Sequence, residues 1–170
     1  MSTTADMIPQ PLVEPGNRKS AIQPYVLSHG TLECYSLKES RRFYEEFLRL
    51  ECVRHGRRTM AVRCGLKFHI VCVEAGDRLH PVNVMNHWGL DVRSRADVDA
   101  AHEAATRLKD EYKIRQVFKP VDQHGVYSFY IMDLDRNYWE IQYFEGFQHD
   151  NFFDGGDRFP MDQVAPLTKT

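Results

Sequence analysis

The sequence predicts an α+β protein of two paired β-α-β-β-β modules, forming a cupped mixed sheet around a metal site. Three observations carry that expectation. The stretch His29-Gly30-Thr31-Leu32-Glu33-Cys34-Tyr35-Ser36 returns without gaps as His87-Trp88-Gly89-Leu90-Asp91-Val92-Arg93-Ser94. Self-similarity of this kind fixes architecture, and two copies suit a pseudo-twofold pair better than a solenoid. Each copy runs from a strand into a capped helix and then into three short extended runs. Finally, His29, His69, His87 and Glu140 fall in the first and last strands of the two copies, where a curled sheet would turn them toward one point.

Residues 1–24 contain Pro9, Pro11, Pro15, Gly16 and Pro24 with no apolar period, and read as an N-terminal tail. The domain spans 25–146, with modules 25–75 and 82–146, and a C-terminal tail covers 147–170. Val26 to Tyr35 alternates as a strand, with His29, Thr31 and Glu33 on one face and Ser28, Gly30, Leu32 and Cys34 on the other. Ser36-Leu37-Lys38-Glu39 has the form of a capping box, and Phe43, Phe47 and Leu50 give the following helix an apolar stripe. Extended runs follow at Glu51–Val53, Arg58–Arg63 and Leu66–Val73.

The second copy repeats the cap at Ser94-Arg95-Ala96-Asp97 and the stripe at Ala101, Ala105 and Leu108. Its runs are Arg115–Phe118, Val126–Met132 and Tyr138–Phe144, the last entered by the turn-rich Asp133-Leu134-Asp135-Arg136-Asn137. In the last strands, Phe68-His69-Ile70 matches Trp139-Glu140-Ile141. A carboxylate between Trp139 and Ile141 is costly unless a cation or hydrogen bonds stabilise it.

Composition narrows the class. At 170 residues, 42% hydrophobic and 27% charged, the chain suits one globular domain or two small modules. A net charge of −2 gives no electrostatic case for nucleic acid or an anionic membrane. No apolar run approaches the ~18 residues of a membrane span, and the polar N-terminus lacks a signal-peptide core. Cys34, Cys52, Cys64 and Cys72 show no C-x-x-C spacing and read as reduced core thiols, which together predict a cytoplasmic protein.

A single strand histidine is more often a hydrogen-bonded core residue than a ligand. Several polar residues at repeat-equivalent places point instead to a divalent transition metal. Two His and one carboxylate leave coordination positions open, the arrangement associated with non-haem Fe(II) and oxygen.

With these residues in hand, residues 25–146 resemble the vicinal oxygen chelate superfamily of glyoxalases, antibiotic-resistance proteins and extradiol dioxygenases. Within it the type I extradiol dioxygenases are most similar. Their His-His-Glu triad falls on His29, His87 and Glu140, and their Phe-Tyr pair with a later Glu falls on Phe129, Tyr130 and Glu140. Their acid–base histidine falls on His69. His124 stands closer to Tyr130 than the family's additional histidine does, and Asp133–Asn137 replaces the family's usual turn. Larger members carry more modules than the two found here.

The resemblance implies an Fe(II)-dependent ring-cleaving dioxygenase with a catechol-type molecule and O2 as substrates; Mn(II) would suit the same ligands. It gives His69 the proton traffic and makes Tyr130 a hydrogen-bond donor to a substrate oxygen, with His124 a further donor. Read without the family, Tyr130 fits a strand aromatic and His124 a loop residue. His55 and His102 read as surface residues, and His80, before Pro81, as a loop residue. In the C-terminal tail Phe152, Phe153 and Phe159 suit either a lid or a subunit contact, and exposed strand edges would suit a homodimer. Two other functions stay open. One is a glyoxalase-like isomerase or lyase holding Zn or Ni with four protein ligands, whose fourth is typically a Glu where this chain has His69. The other is a metal-free binding protein of the resistance kind.

Overall fold

The computed structural model describes residues 26–65, 68–80, 82–123 and 125–145, together with residues 21, 22, 24 and 153. It divides into two compact units, Met1–Pro81 and Val82–Thr170. The fold is α+β; the first unit has the predicted β-α-β-β-β order, and the second has that order with one further short strand.

In the first unit, β1 (His29–Cys34) leads into α1 (Leu37–Arg42), which continues as one π-helical turn over Phe43–Phe47. Three strands follow: β2 (Glu51–Arg54), β3 (Thr59–Arg63) and β4 (His69–Glu74). They form a sheet in the order β1-β4-β3-β2, with β1 and β4 parallel and the other pairs antiparallel. Alternation does the sorting. Leu32, Cys34, Cys52, Met60, Val62, Ile70 and Cys72 are buried, while His29, Thr31, His69, Val71 and Ala61 share the opposite face.

The second unit runs β5 (His87–Asp91), α2 (Arg95–Arg107), β6 (Gln116–Val117), β7 (Val121–Gln123), β8 (Val126–Met132) and β9 (Tyr138–Tyr143). Its sheet has the order β5-β9-β8-β6, with β7 also paired to β8. The short strand β7 has no counterpart in the first unit and accounts for part of the second copy's extra length. Trp139, Phe129 and Ile131 are fully buried on the face that packs against Val98 and Ala105 of α2. Each such apolar side chain contributes roughly 1.5–3 kcal/mol.

Several local expectations change. Ser36 makes no side-chain cap; the first helical N–H, that of Leu37, donates instead to Glu74 Oε2 on β4 at 2.9 Å. Ser94 does cap, accepting from Asp97 N at 3.1 Å and donating to Asp97 Oδ2 at 2.8 Å. The first helix is shorter than its stripe suggested. Arg49 adopts φ 58 and ends it, so Leu50 is buried from the following loop, and Tyr44 joins Phe43 in the core. On α2 the buried positions are Val98 and Ala105, two turns apart on one face, while Ala101 and Leu108 of the expected stripe are half-buried. Cys34, Cys52 and Cys72 are buried thiols as expected, burial pushing that of Cys52 up to about 12, but Cys64 is exposed. His102 is half-buried and meets the Phe129 ring edge-on at 5.2 Å, so it is not a simple surface residue. Among the described residues no helix is long and apolar enough to cross a membrane.

Candidate metal and substrate site

In the second unit, β5 and β9 run parallel with His87 opposite Tyr138 and Gly89 opposite Glu140. On the other side of β9, Tyr130 of β8 lies opposite Glu140 and Ser128 opposite Gln142. The face away from α2 therefore carries His87, Glu140, Tyr130, Ser128 and Gln142. Glu140 leans past Gly89, which presents no side chain, and reaches His87 with Oε2 at 3.1 Å from Nε2. Its other oxygen accepts the Ser128 hydroxyl at 2.6 Å, within the buried layer.

His87 Nδ1 lies 2.7 Å from Val84 O, a carbonyl that can only accept, so Nδ1 carries a proton. In the neutral ring Nε2 is then the atom with a lone pair to offer, and it faces a carboxylate oxygen. Two acceptor atoms at 3.1 Å need a proton or a cation between them. The spacing fits a cation: ligands ~2.1 Å from one ion at a near-right angle lie ~3.0 Å apart.

Tyr130 stands beside this pair, its ring edge-on to His87 at 5.1 Å between centroids. Burial, then its hydrogen bond to Glu140, pushes the phenol up to about 12, so it stays neutral and its proton belongs to the carboxylate. Gln123 Nε2 donates to Tyr130 Oη at 3.4 Å and to Ser128 Oγ at 3.3 Å. Neither Gln123 nor Ser128 stood out in the sequence. Their signal is parity: Ser128 shares the strand face of Tyr130.

The turn entering β9 is held by a buried acid. Asp133 Oδ1 accepts the N–H groups of Asp135 and Asn137 at 2.8 and 2.9 Å, and Oδ2 accepts Trp139 Nε1 at 2.9 Å. Burial and the neighbouring Asp135 carboxylate push Asp133 up to about 7, against the pull of those three donors.

In the first unit, His29 and His69 are direct neighbours across the parallel β1–β4 pair and their rings stack at 5.6 Å, 20° from parallel. Ser28 Oγ lies 2.8 Å from His29 Nδ1 and occupies that side of the ring. Beside His69 is a cavity of about 240 Å³ lined also by Glu51, Val53, Ala61 and Arg63. Glu33, on the same face of β1 as His29, is held by His80, whose backbone N–H donates at 2.8 Å and whose Nδ1 lies 2.8 Å from Oε1. Those hydrogen bonds hold the Glu33 carboxyl below its usual range.

Thus His87, Glu140 and Tyr130 are gathered in one unit and His29 with His69 in the other. Among the described residues, neither unit by itself gathers three or more His, Cys, Asp or Glu side chains that could hold a metal. His124, Phe152 and Phe159 lie outside the described residues, and Phe153 is exposed.

Known structures decide the fold. A glyoxalase/bleomycin resistance protein/dioxygenase from Alicyclobacillus acidocaldarius is 18% identical, matching 69% of this chain and 90% of its own at a TM-score of 0.52. The chain shares that fold. The fosfomycin resistance protein FosX from Listeria monocytogenes matches at 21% identity over 72% of this chain and 96% of its own, TM-score 0.57. Lactoylglutathione lyase from Agrobacterium tumefaciens matches at 21% over 71% and 94%, TM-score 0.51. No family model and no curated protein matches the sequence.

Proposed function

We propose that the protein is an Fe(II)-dependent extradiol dioxygenase that opens a catechol-type ring with O2. The observation that carries this reading is the His87–Glu140 pair: an imidazole nitrogen and a carboxylate oxygen at a metal's bite distance, 3.1 Å. His29 supplies the third ligand in this reading, and Mn(II) would fit the same atoms. Bound Fe(II) would supply a Lewis acid for the two vicinal oxygens of the substrate and a site for O2.

The protein's own part is placement and proton handling. His69, stacked on His29, stands next to a ligand and accepts a catechol proton there, then returns one as the ring opens. Tyr130 is neutral, so it can donate to a substrate oxygen only by turning its proton away from Glu140. The cavity beside His69 gives the ring an apolar wall in Val53 and Ala61. His124 acts as a second donor, and the active species is a homodimer.

A glyoxalase-like isomerase or lyase is the second reading, favoured by the likeness to lactoylglutathione lyase and FosX. It would use Zn or Ni held by four protein ligands and a carboxylate base, and its fourth ligand is typically a Glu where this chain has His69. Metal-free drug binding, of the kind a resistance protein performs, would leave the His87–Glu140 pair without a purpose.

One experiment separates the three. The protein is loaded anaerobically with Fe(II), and oxygen uptake and visible absorption are followed as substituted catechols are added. Uptake with a new visible band supports the dioxygenase. Zn or Ni retained on purification without uptake supports the isomerase, and no metal at any stage supports sequestration. Light scattering on the same preparation reads the oligomer.

A further inference from the structure

We propose that Ser128 and Gln123 are positioning residues that confine Glu140 to one-oxygen ligation, presenting Oε2 beside His87 Nε2. This rests on the metal reading above and concerns how the chain prepares for the ion.

The argument is one of proton direction. Ser128 is fully buried and its hydroxyl lies 2.6 Å from Glu140 Oε1. A hydroxyl has one proton, and a buried carboxylate has none to give, so Ser128 donates to Glu140. The Gln123 amide makes that direction the only one. Its NH2 group is shared between Ser128 Oγ at 3.3 Å and Tyr130 Oη at 3.4 Å, so both oxygens accept from Gln123. Both hydroxyl protons are then free for the carboxylate. Turned end for end, the amide would set its carbonyl against both hydroxyls and draw their protons from Glu140.

Three consequences follow for the carboxylate. Its buried Oε1 is satisfied by the Ser128 hydroxyl rather than by an arginine. Oε1 is occupied, so a metal meets Oε2 alone. And the carboxylate plane is fixed at both ends, by Ser128 on one oxygen and by His87 on the other. Ser128 is not a nucleophile in this arrangement: its proton goes to the acid, not to the imidazole, and its oxygen is out of solvent.

Outer partners of metal ligands are worth about 10–100-fold in affinity. The test uses Ser128→Ala, Ser128→Thr and Gln123→Leu, with Co(II) affinity read by competition against a chromophoric chelator, Co(II) visible spectra, and urea unfolding of the metal-free proteins. Ser128→Ala should bind Co(II) about 10–100-fold more weakly. Its visible bands should also lose intensity, because the freed Oε1 lets the carboxylate reach the ion with both oxygens and raises the coordination number. Ser128→Thr keeps the hydroxyl and should restore both readouts, and Gln123→Leu should fall between. A purely structural serine would lower urea stability while leaving affinity and spectrum as in the parent, and that result overturns the proposal. If the parent protein and all variants fail to bind Co(II), the metal reading itself falls and takes this inference with it. Binding by the parent with unchanged Ser128→Ala sinks the positioning role alone.

Discussion

Asp133 makes the stability of the protein depend on pH in a direction opposite to that of most carboxylates. The unfolded chain releases this proton near 3.8, whereas the folded chain holds it to about 7. Between those values the folded state binds more protons, so stability is greatest at the acid end and is lost as pH rises toward 7. Integrating the difference between about pH 4.5 and 7.5 gives a loss of about 3 kcal/mol from this one group. Asp133→Asn keeps an oxygen for the turn and cannot titrate. Urea unfolding of parent and variant at both pH values, followed by the fluorescence of Trp88 and Trp139, gives two stability differences. The variant should gain about 3 kcal/mol relative to the parent on going from the lower pH to the higher. Glu33, Glu51 and Asp122, whose carboxyls are held low by their partners, titrate identically in both proteins and cancel. A difference that is the same at both pH values would mean that the three N–H donors offset burial and the Asp135 charge in full, and that Asp133 ionises as it does unfolded.

Three other outcomes are expected. Glu74→Ala should cost about 0.5–2 kcal/mol by removing the acceptor of the first N–H of α1, with Ser36→Ala nearly silent; urea unfolding of both variants reads the contrast. Arg136 sits at φ 69 in the β8–β9 turn, so Arg136→Gly should raise the melting temperature, by about 0.5–1 kcal/mol of stability, where a strain-free turn would lose stability instead. Glu140→Ala should abolish iron retention measured by metal analysis, whereas His69→Ala should retain iron and depress turnover; loss of metal in both would erase the proposed division between ligand and base.

Much of the fold was legible because periodicity is a direct consequence of backbone geometry. The His29 and His87 strands, the Ser94 cap and the turn at Asp133–Asn137 all follow from residue type and spacing alone. The helix cap at Leu37 was not legible, since its acceptor, Glu74, comes from a strand far along the chain. Nor was the end of α1: the stripe Phe43, Phe47, Leu50 is satisfied as well by a π turn and a left-handed Arg49 as by a longer helix. In the site, residue identities could be read from the repeat, but partners could not. Ser128 and Gln123 carry ordinary polar side chains, and only the pairing of β7, β8 and β9 brings them to Glu140.

The repeat also concealed a shift of register that decides what each pair of residues can do. Alignment makes His29 equivalent to His87 and His69 to Glu140, yet His29 lies opposite His69 whereas His87 lies opposite Tyr138. The second module is thus displaced by two residues between its first and last strands. Because side chains alternate with period two, a displacement of two keeps Glu140 on the face of His87; a displacement of one would have driven it into the layer beneath α2. Direct neighbours on parallel strands stack, and His29 and His69 do so, with ring centres 5.6 Å apart. A residue two places along can instead extend a long side chain toward its partner's tip, and Glu140 does this across Gly89 to bring oxygen and nitrogen to 3.1 Å. The same duplicated design therefore yields a stacked pair of imidazoles in one copy, and a converging imidazole and carboxylate in the other.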